Sequence, residues 1–287
     1  DDFDGLGSHA GNGGTTPEPT PEPEPLEPLV CDADKTLISA VQGAGDASPL
    51  VDTVVEIEGI VTADFQGEDG LDGFFVTSLA ADVDSDPMTS EGLFVYFTDT
   101  DVNVGDHVRV QGTVDEYYDS TQLADVTQIA VCGTGEVASA TTISLPLDSQ
   151  ADLEAYEGML VSLDQTLVVT NNYGLGRYGE VELATERLYQ GTQIALPGDA
   201  ANAVEAANLT KKILLDDGST AQNSDPTAYP AAGLSAENTL RTGDTVNAVT
   251  GVVTYSFSTY RIHPTVTPQF IATNAREDAP EQSEEAD

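Results

Sequence analysis

Between residues 53 and 133 the apolar positions fall into five runs with a two-residue period: TVVEIEGIVTADF (53–65), GFFVTSL (73–79), GLFVYF (92–97), DHVRVQGTVDEYY (106–118) and LADVTQIAVCG (123–133). The runs are rich in β-branched and aromatic side chains, and glycine- and aspartate-rich breaks separate them, so the pattern predicts strands joined by turns. Five strands in about a hundred residues suit a small Greek-key barrel. The pattern then returns. GDHVRVQGTVDEYYDSTQL (105–123) lines up with GDTVNAVTGVVTYSFSTYRI (243–262), each reading Gly-Asp-x-Val, a strand, a glycine, then valine and aromatics. A repeat at this separation predicts two copies of one domain type.

The second copy is expected to open near Tyr156, with YEGMLVSLDQTLVVTNNYG, and to end near Phe270. It carries an insertion at about 186–240, rich in Ala and Asn, in which DAANAVEAANL (199–209) is a short helical candidate. Gly59, Gly112 and Gly251 each fall inside a long strand. A long strand that serves both halves of a small barrel must bend, and glycine permits the kink or bulge. Strand one of an oligonucleotide/oligosaccharide-binding (OB) barrel behaves in this way. The fold class expected is therefore all-β, two tandem OB-like Greek-key barrels at residues 32–140 and 155–274.

The ends read differently. Residues 1–31 begin DDFDGLGSHAG and continue as GNGGTTPEPTPEPEPLEPLV, a proline-glutamate spacer of polyproline type stiffened by charge repulsion. Residues 275–287 lose all apolar periodicity and read as an acidic linker or tail. The abrupt start, with no initiator Met or signal segment, reads as a processed piece of a longer polypeptide. No run of about 18 apolar residues is present, so no membrane-spanning helix is expected.

Charge changes this picture most. Against 50 Asp and Glu stand 9 Lys and Arg, a net charge of −41. Such a surface repels polyanions and its own copies at low salt, and high ionic strength or divalent cations relieve it. A halophilic or marine, secreted, extracellular or cell-surface setting fits. The excess is unevenly spread: Glu157 to Arg276 carries 12 acids and 7 bases, and the rest of the chain 38 acids and 2 bases. In the nearly balanced half, bases stand close to aromatics, the mixture used by stacking grooves for single strands. Arg177, Tyr178, Lys211, Lys212, Tyr255, Tyr260 and Arg261 are the DNA-contacting candidates; core and rim of a barrel is the competing reading for each aromatic.

Catalytic chemistry is harder to find. The three histidines (His9, His107, His263) have no companions at zinc spacing, and no phosphate-cradling glycine loop, nucleophile elbow or triad can be assembled. Cys31 and Cys132 flank the first β-rich region. In a secreted chain they pair, closing about 100 residues for up to ~4–5 kcal/mol; in a cytosolic one they are two buried thiols. DVDSDPMTSEG (82–92) offers Asp82, Asp84, Asp86 and Glu91 as calcium ligands. It is no EF-hand, because Pro87 and Leu93 occupy the positions that need Gly and Glu. Either it holds a structural calcium ion or it is a solvated acidic loop.

Taken together, TLISAVQGAGDASPLVDTVVEIEGIVTADF (36–65), GFFV, DSDPMTSEGLFVYF (84–97) and VGDHVRVQGTV (104–114) resemble the OB-like accessory region of secreted bacterial nucleases of the ExeM/NucH type. These belong to the endonuclease/exonuclease/phosphatase superfamily. DDFDGLGSHAG resembles the tail of the lamin-tail-like domain that precedes that region, and YRIHPTVTPQFIATNAR (260–276) the segment that leads into the nuclease domain. The superfamily hydrolyses phosphodiesters with a metal held by Asn, Asp and Glu and a His–Asp pair that activates water. None of those motifs can be matched here. The resemblance therefore implies a non-catalytic accessory module that contacts extracellular DNA weakly through its second barrel, or positions a downstream nuclease domain. The alternative is a structural or self-associating surface protein built from the same barrels.

Overall fold

The structure, a computed structural model, describes residues 26–275. The expectations for residues 1–25 and 276–287 lie outside it. The first module contains a short helix, α1 (Ile38–Gln42), and five strands: β1 (Val54–Phe65), β2 (Gly73–Ser78), β3 (Gly92–Tyr96), β4 (His107–Glu116) and β5 (Thr121–Gly133). They close into a barrel in the order β1-β2-β3-β5-β4. All pairings are antiparallel except β3 with β5, where Phe94 lies opposite Gln122 and Val95 opposite Leu123. This is the strand order of an OB barrel. Alternate residues (Ile57, Val61, Phe74, Val76, Leu93, Val95, Val108, Val110) fill the interior, with Ile38 and Val41 of α1 packed against them.

One strand serves both halves of the barrel. Residues 54–60 of β1 pair with β4 and residues 59–65 pair with β2, so Gly59 belongs to both ladders. A Cβ there would lie 2.5 Å from the Thr77 carbonyl oxygen, too close for any other residue. The register of β4 on β5 shifts between Gln111 and Thr113, across Gly112, as a bulge requires.

The second module comprises β6 (Thr141–Thr142), a 3-10 segment (Gln150–Tyr156), β7 (Leu160–Leu163), β8 (Leu167–Asn171), α2 (Leu175–Tyr178), β9 (Val181–Ala184), α3 (Gly191–Ile194), α4 (Asp199–Thr210), β10 (Lys212–Leu215), β11 (Thr245–Val246), β12 (Val249–Ser256), β13 (Thr259–Pro264) and β14 (Phe270–Ile271). Its nine strands form a curled half-barrel in the order β14-β11-β8-β9-β10-β13-β12-β7-β6. β7 and β8 follow one another along the chain, as do β11 and β12. Their pairings run on across both breaks, Leu163 to Val249 and Leu167 to Val246. Joined in that way, the order repeats that of the first module, including its one parallel pair in the barrel, here β10 with β13.

The Gly-Asp repeat has a structural role. The Gly105 amide donates to the Val61 carbonyl and the Val61 amide to the Asp106 carbonyl, both at 2.9 Å; Gly243, Val169 and Asp244 do the same at 2.8 Å. Register shifts follow in both copies, at Val61/Ala63 and Val169/Asn171. Gly105 and Gly243 have φ of +90° and +98°, which glycine alone adopts readily. The stretch expected as an insertion, 186–240, supplies α3 and α4, and α4 covers the expected helix, but it also contains β10, a strand of the sheet itself, so it is not one continuous insertion. Ile143, Leu145 and Leu153 are buried in the second core, so that core draws on residues upstream of Tyr156.

The two modules share an apolar seam. Ala63, Phe75, Phe65 and Phe94 of the first pack on Val252 and Leu160 of the second. Phe65 lies against Gly218 and edge-on to His263, 5.7 Å between ring centres, and the Thr220 amide donates to the Asp69 carbonyl at 2.7 Å. At the closest point backbone meets backbone: a Cβ on Gly92 would fall 2.2–2.4 Å from atoms of Gly158 and Met159. Gly92→Val should therefore push the modules apart, lower stability by roughly 2–4 kcal/mol and split one thermal transition into two in calorimetry. Gly67→Ala, where a Cβ meets nothing within 4 Å, should leave a single transition.

Candidate functional site

Three of the seven DNA-contacting candidates come together and four do not. Lys212, Tyr255 and Tyr260 line an open cleft of about 690 Å³ between the modules. The two tyrosines lie 4.8 Å apart, ring centre to ring centre. Lys211 sits just past the end of α4, and Arg177 and Tyr178 lie on α2, away from the cleft. Arg261 is only 4% exposed and belongs to the interior.

The cations are also committed. Lys212 pairs with Glu182 and Lys211 with Glu186, each at 2.6 Å, and Arg261 pairs with Glu180 at 3.1 Å and Asp216 at 2.5 Å. Arg177 bonds Gln222 and stacks over Tyr178 at 4.9 Å. The same cleft receives Asp46 and Asp119 from the first module and Glu154 from the second. Its lining is thus acidic, which repels a phosphate backbone. Tyr260 donates to Glu154 at 2.5 Å, and burial raises the Glu154 carboxyl above its ordinary range.

The acidic loop holds itself together. Asp82 pairs with Lys35 at 2.9 Å. Asp84 accepts from the Asp86 amide at 2.7 Å and from the Thr89 hydroxyl, and the Asp86 amide bond is the main reason its carboxyl is held below the usual range. Asp86 accepts from the Met88 amide and Glu91 from the Asp84 amide. Each carboxylate is turned to a different partner, and no three of them bring oxygens within 4.8 Å of one another.

One cluster with metal-type donors does converge among the described residues: Glu58, His107 and Cys132, within 4.8 Å. Cys132 is bonded to Cys31, across 101 residues of chain, so the expected pairing of the cysteines is present. Arg109 organises the surroundings. Only 1% exposed, it reaches Glu56 at 2.6 Å, Glu58 at 2.9 Å, and the carbonyls of Ala33 and Asp34 at 2.9 and 2.5 Å. Burial would raise the Glu58 carboxyl, but the Asp32 amide, Arg109 and His107 together hold it low. A second such knot forms where Asp216 meets Arg261 and His263. There burial is again outweighed, by His263, the Gly218 amide and Arg261, which hold Asp216 down to about 2.

The residue that sequence reasoning missed is Glu157. Its carboxylate crosses the seam and accepts from the Ser120 hydroxyl and the Thr121 amide, each at 2.8 Å. Its backbone carbonyl accepts from the Ser90 hydroxyl at 2.5 Å. Its other carboxylate oxygen is buried with no hydrogen-bond partner. Nothing in the YEG motif distinguishes it from the other acids. Arg109 had a signal: it is one of two bases outside residues 157–276, and it lies between valines inside a strand.

Residues 134–274 match a family described as a domain of unknown function (DUF8508). The match spans the second module and ends just past β14. No curated protein matches the chain. No helix among the described residues is long and apolar enough to cross a membrane.

Glu157 makes the seam sensitive to pH. Burial, reinforced by Glu154 and Glu116, pushes its carboxyl from 4.5 up to about 8 against the two hydrogen bonds. A carboxyl whose pKa rises on folding costs nothing below its unfolded pKa. The penalty grows as pH rises from 4.5 to about 8 and is complete above that, at about 1.4 kcal/mol per unit. Urea unfolding should show the wild type losing stability between pH 5 and pH 9. Glu157→Gln should match it near pH 5 and exceed it at pH 9 by on the order of 3–5 kcal/mol.

Proposed function

We propose that residues 26–275 form a rigid, non-catalytic accessory module of a secreted protein, which holds a nuclease domain further along the polypeptide in a fixed position. The seam is the observation that supports this reading most. A tether between two barrels needs no aromatic packing, backbone contact at Gly92 and Gly158, or buried carboxylate across the join. Inter-domain motion is the default unless an interface is large and apolar, so a seam of this kind serves a part that must not bend. The disulfide suits an oxidising compartment.

A role in gripping DNA receives less support, because Lys211, Lys212 and Arg261 are neutralised within their own module and the cleft is acidic. The module's contribution to acting on extracellular DNA is then geometric. Self-assembly by strand addition has little to build on, because the edge strands β6 and β14 are two residues each, too short to template another chain.

The natural gene product decides between these. Its mature form should exceed the 30.0 kDa of this chain and degrade DNA. Exchanging residues 26–275 for a flexible Gly-Ser linker of equal length should lower kcat/KM on long DNA while sparing a dinucleotide ester. The module alone should cause no salt-dependent retardation of single-stranded DNA at 150 mM NaCl. A mature 30.0 kDa product without a nuclease domain, or full activity with the flexible linker, would sink the reading.

A further inference from the structure

We propose that Cys31, Cys132, His107 and Glu58 form a divalent-metal site of the zinc type in the reduced chain, and that the disulfide closes this site. The donors already converge. Glu58, His107 and Cys132 have ligand atoms within 4.8 Å of one another, and the Cys31 sulfur, joined to Cys132, lies next to these three donors as the fourth. Donor atoms on a tetrahedral zinc lie roughly 3.4–3.8 Å apart, given bonds of about 2.0–2.3 Å. Small side-chain movements therefore suffice.

Opening the disulfide does not release Cys31 from the site. The Asp32 amide donates to both oxygens of Glu58 at 3.2 Å, and Arg109 holds the carbonyls of Ala33 and Asp34. The segment that carries Cys31 thus stays strapped to the barrel by bonds that do not involve sulfur. His107 Nε2 and Glu58 Oε1, 2.7 Å apart, would turn from each other to a shared ion. Glu58 Oε2 keeps its bond to Arg109 at 2.9 Å, the outer partner that orients a ligating carboxylate.

The charges also fit. Two thiolates and one carboxylate around a dication leave one negative charge, and the Arg109 guanidinium beside them offsets it. The chemistry balances with a dithiol as reductant: its two thiols become a disulfide while the Cys31–Cys132 bond takes up two electrons and two protons. Metal binding then releases both protons to solvent. A second disulfide as oxidant reverses this: it takes up the two electrons, and two protons from solvent, to become a dithiol, the Cys31–Cys132 bond re-forms, and the ion, left without thiolate ligands, leaves.

The test uses the full chain, reduced under argon with a water-soluble phosphine, which becomes the phosphine oxide by taking oxygen from water. Cobalt(II) is titrated as the probe. The reduced protein should bind one equivalent, with thiolate-to-cobalt charge transfer and the visible bands of a tetrahedral ion, and zinc should bleach both. The oxidised protein should show neither, which separates the site from loose binding to the acidic surface. His107→Ala should weaken cobalt binding by about tenfold or more, and Cys132→Ser should remove the paired-thiolate spectrum. A folded, reduced chain without the charge-transfer band overturns the proposal, as does a His107→Ala variant that binds unchanged. If reduction unfolds the chain, one equivalent of zinc must restore its β-sheet circular dichroism, and failure to do so overturns the proposal equally.

Discussion

Nine bases against fifty acids constrain this molecule at every level. With so few cations, most of those the fold has are delivered to its own carboxylates. Arg109 lies between Glu56 and Glu58, Arg261 between Glu180 and Asp216, and Lys212 against Glu182. Removing one partner of the buried pairs Arg109–Glu58 or Arg261–Asp216 would leave a charge uncompensated, at a penalty of about 3–5 kcal/mol, so these two pairs are fixtures of the fold. A cation that neutralises a carboxylate of its own module is also lost to a ligand. The balanced charge of the second half of the chain therefore reflects internal pairing more than a basic face.

The barrels themselves were legible in the sequence because their signals are local. Alternation marks each strand of the first module to within a few residues. Gly59 and Gly112 mark the bends, and the Gly-Asp repeat marks the clamp that fastens strand four to strand one in both copies. The helix at 199–210 was legible for the same reason. The start of the second core was not: Ile143 and Leu145 are isolated apolar residues in a stretch without period, and only the sheet at β6 and β7 explains their burial.

The candidate site was legible in part. A base close to a tyrosine in the sequence says nothing of the carboxylate opposite it, and Glu182, Glu186 and Asp216 meet Lys212, Lys211 and Arg261 only through strand pairing or chain reversal. Tyr255 and Tyr260 lie beside each other because a hairpin sets their register. That Asp46 and Asp119 face them follows from the packing of two modules, which no single strand encodes. Glu157 was invisible for that reason too: its partners Ser120 and Thr121 are 37 and 36 residues away, in the other barrel.

The first barrel is held at both ends of one strand. At the start of β5, Thr121 receives Glu157 of the second module; at its end, Cys132 is bonded to Cys31, where the chain enters. β5 pairs along nearly its whole length with β4, which carries Arg109 and His107. A strand of 13 residues spans roughly 40 Å at about 3.3 Å per residue. The entering segment and the second module are thus tied to opposite ends of one hydrogen-bonded ribbon. Any rotation between them must either break the β4–β5 ladder or open one of the two anchors. The entry anchor is covalent and is backed by the bonds of Asp32 and Arg109; the seam anchor is a buried carboxyl that weakens as pH rises from 4.5 to about 8. What joins the two barrels into one strut is the seam: the Glu157 anchor, the aromatic packing and the backbone contact at Gly92 and Gly158.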